Sequence, residues 1–222
     1  MIKHFINFLN DPEYVYMPVS INIINSIVVI LKSVLIYLGF ILFSSILIIL
    51  PILILDLVPD RMDVTLSLTF KVVIVAPLLE ELAFRLPLRY SSKNIFIAIG
   101  TFVFMFMIIS FNIYVSLFIG ILTALIPFMN IISQKILEKI EKYYFKYYKF
   151  IFYFLALSFG MIHLFSYKNL NIIQFGIAPL FVINQIFMGL FLSFTRVKYR
   201  FGFFYCVVIH IIINLTFIIL AN

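Results

Sequence analysis

SVLIYLGFILFSSILIILPILILDL, residues 33–57, is the stretch that decides the class of this fold. It carries a single charge, Asp56, near its far end. As an α-helix it would reach about 37 Å, enough to cross a hydrocarbon layer of roughly 30 Å. Apolar sequence begins earlier, at residue 19, and the whole region 19–58 is too long for one upright helix. Lys32, preceded by Ser20, Asn22, Asn25 and Ser26, predicts a division there: an amphipathic interfacial helix over 19–31 and a first span over 33–57. Two tightly joined spans turning near Gly39 are the alternative. Further spans are predicted over 64–88, 95–111, 113–132, 150–165, 176–194 and 203–221. The expected fold class is therefore all-α, a polytopic integral membrane bundle of about seven transmembrane helices, within a range of six to eight.

Composition agrees with this reading. The 222 residues are 65% hydrophobic and 11% charged, with a mean hydropathy of +1.20, too apolar to wet the surface of a soluble domain. A net charge of +7 raises the question of nucleic acid, but the Lys and Arg residues sit in short segments between apolar runs and form no single basic face, so no nucleic-acid partner is expected. They are topology signals. Assigned to alternate sides, Lys3, Lys32, Arg85, Arg89, Lys93, the lysines from Lys135 to Lys149, Arg196, Lys198 and Arg200 fall together, against Arg61 and Lys168 on the other side. That asymmetry predicts an inside N-terminus and an outside C-terminus. The segment 133–149 alternates Lys with Glu138, Glu141 and Tyr and is expected to lie along the inner leaflet as a snorkelling connector in contact with lipid. The N-terminus shows no pattern of a removable signal peptide. The bias toward Ile, Phe, Lys and Asn suggests a bacterial inner (cytoplasmic) membrane.

A charge near mid-bilayer costs about 2.5–3.5 kcal/mol on insertion scales, so each one calls for a partner or a task. The few candidates are Lys71, Glu80, Glu81 and Arg85 on the second predicted span, His163 on the fifth, and His210 with Asn214 on the seventh. In PLLEELAFR, residues 77–85, successive side chains turn by about 100°, so the two acids cannot face one way. Glu81 and Arg85 are four apart with the acid first, the favourable order for an ion pair along one face. Glu80 is left free for chemistry with water, and Pro77, one turn earlier, is expected to bend the helix. In FGMIH, residues 159–163, Phe159 shares a face with His163, and Gly160 permits close helix approach. An imidazole there could share a water with the carboxylate. His210 and Asn214 are also four apart, two donors on one face of the kind a developing oxyanion needs. Asn184 and Gln185 read as interhelical hydrogen-bonding residues. The sole cysteine, Cys206, one turn before His210, lacks the third group that would make it a nucleophile.

Taken in order, EELAFR (80–85), FGMIH (159–163) and HIIIN (210–214) resemble the motifs of the CAAX protease and bacteriocin-processing (CPBP, or Abi) family of intramembrane endopeptidases: Glu-Glu-x-x-x-Arg, Phe-x-x-x-His and His-x-x-x-Asn/Asp. The resemblance covers roughly 64–222 and implies a catalytic membrane domain there, preceded by an N-terminal unit over 1–63. It implies that Glu80 and His163 activate the attacking water, that His210 and Asn214 hold the oxyanion, and that Glu81, Arg85 and Phe159 support them. The substrate class implied is a membrane-associated peptide or protein terminus; some relatives process prenylated CAAX tails, and others are associated with bacteriocin leaders or self-immunity. The chain departs from the family in spacing, because two additional spans and the basic segment, about 94–149, separate the first two motifs. Two is an even number, so the second-motif helix stays antiparallel to the first, and the extra pair can pack outside the core. His163 falls late in its predicted span, deeper than Glu80 and His210.

The family has been described as metal-dependent, and Glu80, His163 and His210 would suit zinc. No His-Glu-x-x-His helix is present and Asn is an unusual zinc ligand, so a metal-free reaction without cofactor is favoured. The rival class is a transport or scaffold/immunity protein in which the same buried network is an ion path or purely structural.

Overall fold

The computed structural model describes residues 1–54, 70–129, 132–167 and 170–221, and within them every regular element is a helix. Helix α1, Ile2–Asn10, is short and amphipathic. Helix α2, Ile23–Ser44, runs on without interruption through a π turn at Ser45–Ile49 and into Leu50–Ile54. Helix α3, Ala76–Phe84, is entered through a second π turn, Lys71–Val75, and left through a 3₁₀ turn, Leu86–Leu88. Then follow α4, Ser92–Met107; α5, Ile113–Leu125; α6, Gln134–Lys146; and α7, Tyr148–Met161, which tightens into a 3₁₀ segment over Ile162–Ser166. Two short helices, Ile172–Gly176 and Ala178–Phe181, lead into α8, Ile183–Lys198, and α9, Gly202–Ala221, closes the bundle.

Among the described residues three helical segments are long and apolar enough to cross a membrane: Ile23–Ile48, Tyr148–Ser166 and Gly202–Leu220. Ser92–Met107 and Ile113–Phe128 are apolar but shorter. Unlike in a protein folded in water, large apolar side chains cover the surface as well as fill the core, and several polar groups are enclosed with that core. Ser33, Ser44, Glu81, Arg85, Ser193, Thr195, Arg196 and His210 are buried, while Leu35, Leu42, Phe43, Phe118, Phe150 and Leu220 stand exposed. Helices arranged this way keep their backbone groups paired internally and turn their apolar faces outward.

Three expectations are corrected. Lys32 does not divide the first apolar region: α2 passes straight through it, with Lys32 on the exposed face and Ser33, Val34 and Tyr37 on the buried one. The polar residues before it start the helix, since the Asn22 side chain caps it by accepting from the Asn25 amide at 2.9 Å. Nor does the chain turn at Gly39, which lies within α2. The amphipathic helix is α1 instead, which buries Phe5 among Phe187, Phe191 and Phe194. The sixth predicted span is not one helix: Pro179 stands in the first turn of Ala178–Phe181, where its missing N–H is tolerated, and the chain restarts at Ile183. The second predicted span is seen from Phe70 onward; 64–69 lie outside the described residues, as do Arg61 and Lys168.

The centre is built from α2, α3, α7, α8 and α9. Glycines set the closest crossing: a Cβ on Gly160 would lie 2.7 Å from the Ile186 backbone, and one on Gly189 would overlap the Ala156 carbonyl. This is the small-residue contact by which α7 and α8 meet. Helices α4 and α5 pack as a hairpin around Gly100 and Gly120, and α4 rests on α3. The additional pair thus lies beside the central group. Basic residues gather at one end. There Val19 pairs with the strand-like turn after α8, its amide on Lys198 O at 2.9 Å, and Lys149 pairs with Asp11 at 2.9 Å.

Candidate active site

Glu80 and Glu81 project from the last turns of α3 on different faces, as their spacing requires. Glu81 is sealed from solvent, and one of its carboxylate oxygens lies 3.4 Å from Arg85 Nε, one helical turn on. Its other oxygen meets His210 Nδ1 from α9 at 2.9 Å. Arg85 is equally buried, and its guanidinium lies on the Phe159 ring with Cζ 3.8 Å from the centroid. That cation–π contact, together with Glu81, holds a charge that is sealed from bulk solvent. Among the described residues the Arg85 terminal nitrogens have no hydrogen-bond acceptor.

Glu80 is the acid that keeps access to solvent, with a side-chain exposure of 17%. Its Oε2 lies 3.6 Å from His210 Nε2, so the imidazole is held between two carboxylates. A carboxylate beside an arginine accepts hydrogen bonds and does not donate them, so the His210 Nδ1 hydrogen is given to Glu81. The facing Nε2 and Glu80 oxygen then require a proton on one of them to attract each other. Removing Glu81 would free the ring to turn; removing Glu80 would leave its orientation intact.

His163 stands in the 3₁₀ segment that ends α7. Its Nδ1 lies 2.8 Å from the Phe159 carbonyl, which can only accept, so Nε2 is the nitrogen left for chemistry in the neutral ring. Phe159 links the two imidazoles, its ring centroid 5.1 Å from that of His163 and 5.7 Å from that of His210. Glu80, His210 and Arg85 all lie within coulombic reach of His163. The late position of His163 in its helix leaves its ring against Phe159, whose ring also meets that of His210.

Asn214 is placed differently from expectation. Its Nδ2 donates to the Val72 carbonyl at 3.0 Å, in the π turn ahead of α3. The cause is local: in that turn the Ala76 amide bonds to Lys71 O, five residues back, and the next donor in the same register would be residue 77. Pro77 has no N–H, so Val72 O is orphaned and Asn214 supplies the missing donor. His210 and Asn214 share a face of α9 and reach different partners, His210 the two acids and Asn214 the Val72 carbonyl. The bend expected at Pro77 takes the form of the π turn.

Other sequence readings find their places. Ser44 donates to Asn184 Oδ1 at 2.7 Å, an interhelical bond as expected. Cys206 is fully buried and gives its thiol to Leu192 O at 3.1 Å. Sequence reasoning missed Glu81 as the partner of His210. It also missed Arg196, whose Nε donates to the Arg85 carbonyl at 3.1 Å and ties the end of α3 to α8. A helical proline signals an orphaned carbonyl and so could have pointed to Asn214; nothing in the spacing signals Arg196. Among the described residues no three His, Cys, Asp or Glu side chains are close enough together to hold a metal ion.

Compared with known proteins, the chain matches no family model, no curated protein and no solved structure.

Proposed function

We propose that this chain is an integral membrane protein of about seven spans that hydrolyses a peptide bond in a membrane-associated peptide or protein terminus, as the resemblance to the CPBP endopeptidases implies. The observation that carries the reading is the placement of the partly exposed Glu80 carboxylate 3.6 Å from His210 Nε2, on an imidazole whose other nitrogen is fixed by a buried acid. An acid, an oriented imidazole and a second imidazole with a free Nε2 form the constellation that water activation requires.

In this mechanism Glu80 and His163 orient a water and take its proton as the oxygen attacks the scissile carbonyl carbon. His210, carrying the proton it shares with Glu80 on Nε2, donates to the oxygen that becomes negative. The proton taken from water then passes to the leaving nitrogen as the C–N bond breaks. Glu81 and Arg85 are positioning residues, acting through His210, and Asn214 holds the wall of the site. No metal takes part in any of these steps.

The test is incubation of the purified protein with a pool of membrane-associated peptides, wild type beside Glu80→Gln, with product peptides read by mass spectrometry. Cleavage by the wild type and its loss in a variant that remains folded and inserted is the expected result. Proton-coupled flux in vesicles that Glu80→Gln alters, with no cleavage by either protein, would instead establish the transport reading. Cleavage should also survive chelation; stoichiometric zinc that disappears in His163→Ala would overturn the metal-free mechanism.

A further inference from the structure

At the basic end of the bundle, outside the acid–imidazole cluster, Arg89 and Arg196 each bond a backbone carbonyl where the end of α3 meets the end of α8. Arg196, in the last turn of α8, is buried; its Nε is spent on Arg85 O at 3.1 Å, and its guanidinium lies 5.8 Å from the Phe203 ring centroid. Arg89, just past the 3₁₀ turn after α3, gives Nη1 to Arg200 O at 3.3 Å, while its Nη2 is buried with no partner among the described residues. The two guanidiniums are within coulombic reach of each other and of the Tyr14 phenol. Among the described residues neither has an Asp or Glu within ion-pairing distance.

The surrounding phenols do not neutralise them. Tyr144 and Tyr148 spend their hydrogens on Pro87 O at 2.8 Å and Leu88 O at 3.5 Å. Burial pushes the Arg89 guanidinium below its ordinary range, only partly offset by Tyr14 and Tyr148. Two like charges within coulombic reach of each other and partly stripped of water are unfavourable unless an anion joins them. A planar guanidinium with an unspent N–H group, as Arg89 has at Nη2, matches the paired oxygens of a phosphate or a carboxylate.

We propose that Arg89 and Arg196 form a binding site for a phosphate group, presented by the headgroup of an anionic membrane lipid. A soluble phosphate shares the chemistry, but two features favour the lipid. The site lies at the end of the bundle where the basic residues gather, beside the Lys-rich helix α6. Tyr144, within coulombic reach of Arg196, also lines an open groove whose other walls include Ile140, Tyr143, Tyr147, Phe150 and Ile151. An aliphatic and aromatic groove beside a cationic pair accommodates an acyl chain and its headgroup together. Because Arg196 also holds the Arg85 carbonyl, an occupied site would brace the helix end that carries Glu81 and Arg85. The proposal depends on the chain being membrane-embedded and not on its being a protease.

The experiment uses the full-length protein in nanodiscs of phosphatidylcholine, with and without phosphatidylglycerol. Retained lipid is read by native mass spectrometry and Tm by thermal unfolding. Phosphatidylglycerol should be retained and should raise Tm. Arg89→Gln should lose most of both effects, its shift being read against its own Tm in phosphatidylcholine, and Arg89→Lys should recover part of them. Lys142→Gln, on the exposed face of α6, should behave as wild type. Arg196→Gln removes a bond to α3 and can lower Tm by itself, so Arg89→Gln bears the test. Millimolar inorganic phosphate in phosphatidylcholine discs should reproduce little of the shift; a full shift would make the ligand a soluble phosphate and overturn the lipid assignment. Retention unchanged in Arg89→Gln, or stabilisation by a peptide with a free C-terminal carboxylate and not by phosphatidylglycerol, would overturn the site itself.

Discussion

Two adjacent glutamates on α3 face different environments and carry different burdens. Glu81 is enclosed between Arg85 and His210, whereas Glu80 keeps contact with solvent. Glu81→Ala should therefore strand a buried guanidinium and release the His210 ring, lowering stability by about 3–5 kcal/mol in detergent unfolding. Glu80→Gln should cost little stability and all of the activity. A Glu81→Ala protein that unfolds like the wild type would mean that the buried ion pair is not what holds α3 to α9. For Asn214→Ala the orphaned Val72 carbonyl predicts a loss of about 1–2 kcal/mol with residual cleavage. A stable but inactive Asn214→Ala would return Asn214 to the reacting oxygen. At this scale the ion pair of Glu81 with Arg85 was legible from spacing and order alone. The partner of Asn214 was not, because four-residue spacing states which face a side chain occupies and says nothing of what stands opposite.

Helices here are set by where polar residues fall relative to neighbours that a single sequence does not display. Lys32 read as an interruption because a charge in an apolar run is costly. Placed on the outer face of α2, it lets the helix continue, and Asn22 serves as its cap. The stretch before α8 breaks because Pro179 cannot donate to the preceding turn. The last helix was legible almost to the residue, since its long apolar run is bounded by Gly202 and contains no competing break. Packing through glycine separates the elements the site needs from those it does not. Gly100→Leu should pry α4 from α5 at the Gly120 carbonyl and lower Tm while leaving cleavage measurable. Gly189→Leu should separate α8 from α7 at the Ala156 carbonyl and abolish both folding and cleavage. An active Gly189→Leu would show that the α7–α8 crossing does not position His163.

The whole molecule covers its apolar core with further large apolar side chains and encloses a few charges and hydroxyls within it. That apolar surface was legible in composition, while the spatial meeting of three distant motifs was not, since no spacing along one chain fixes a distance between helices. Topology is testable on the same molecule. Cys206 is sealed inside, so cysteines introduced by Tyr16→Cys and Leu220→Cys, at positions 74% and 76% exposed, can be labelled selectively with membrane-impermeant reagent. The expected outcome is labelling from opposite sides of the membrane; labelling of both from one side would remove the proposed odd number of spans. Chemistry at the site is tested most directly by cleavage of a membrane-associated peptide in water carrying heavy oxygen. One heavy oxygen should enter the new carboxylate with the wild type, and no product should form with a folded Glu80→Gln. Product formed equally by both proteins, or by neither, would contradict a water activated by Glu80.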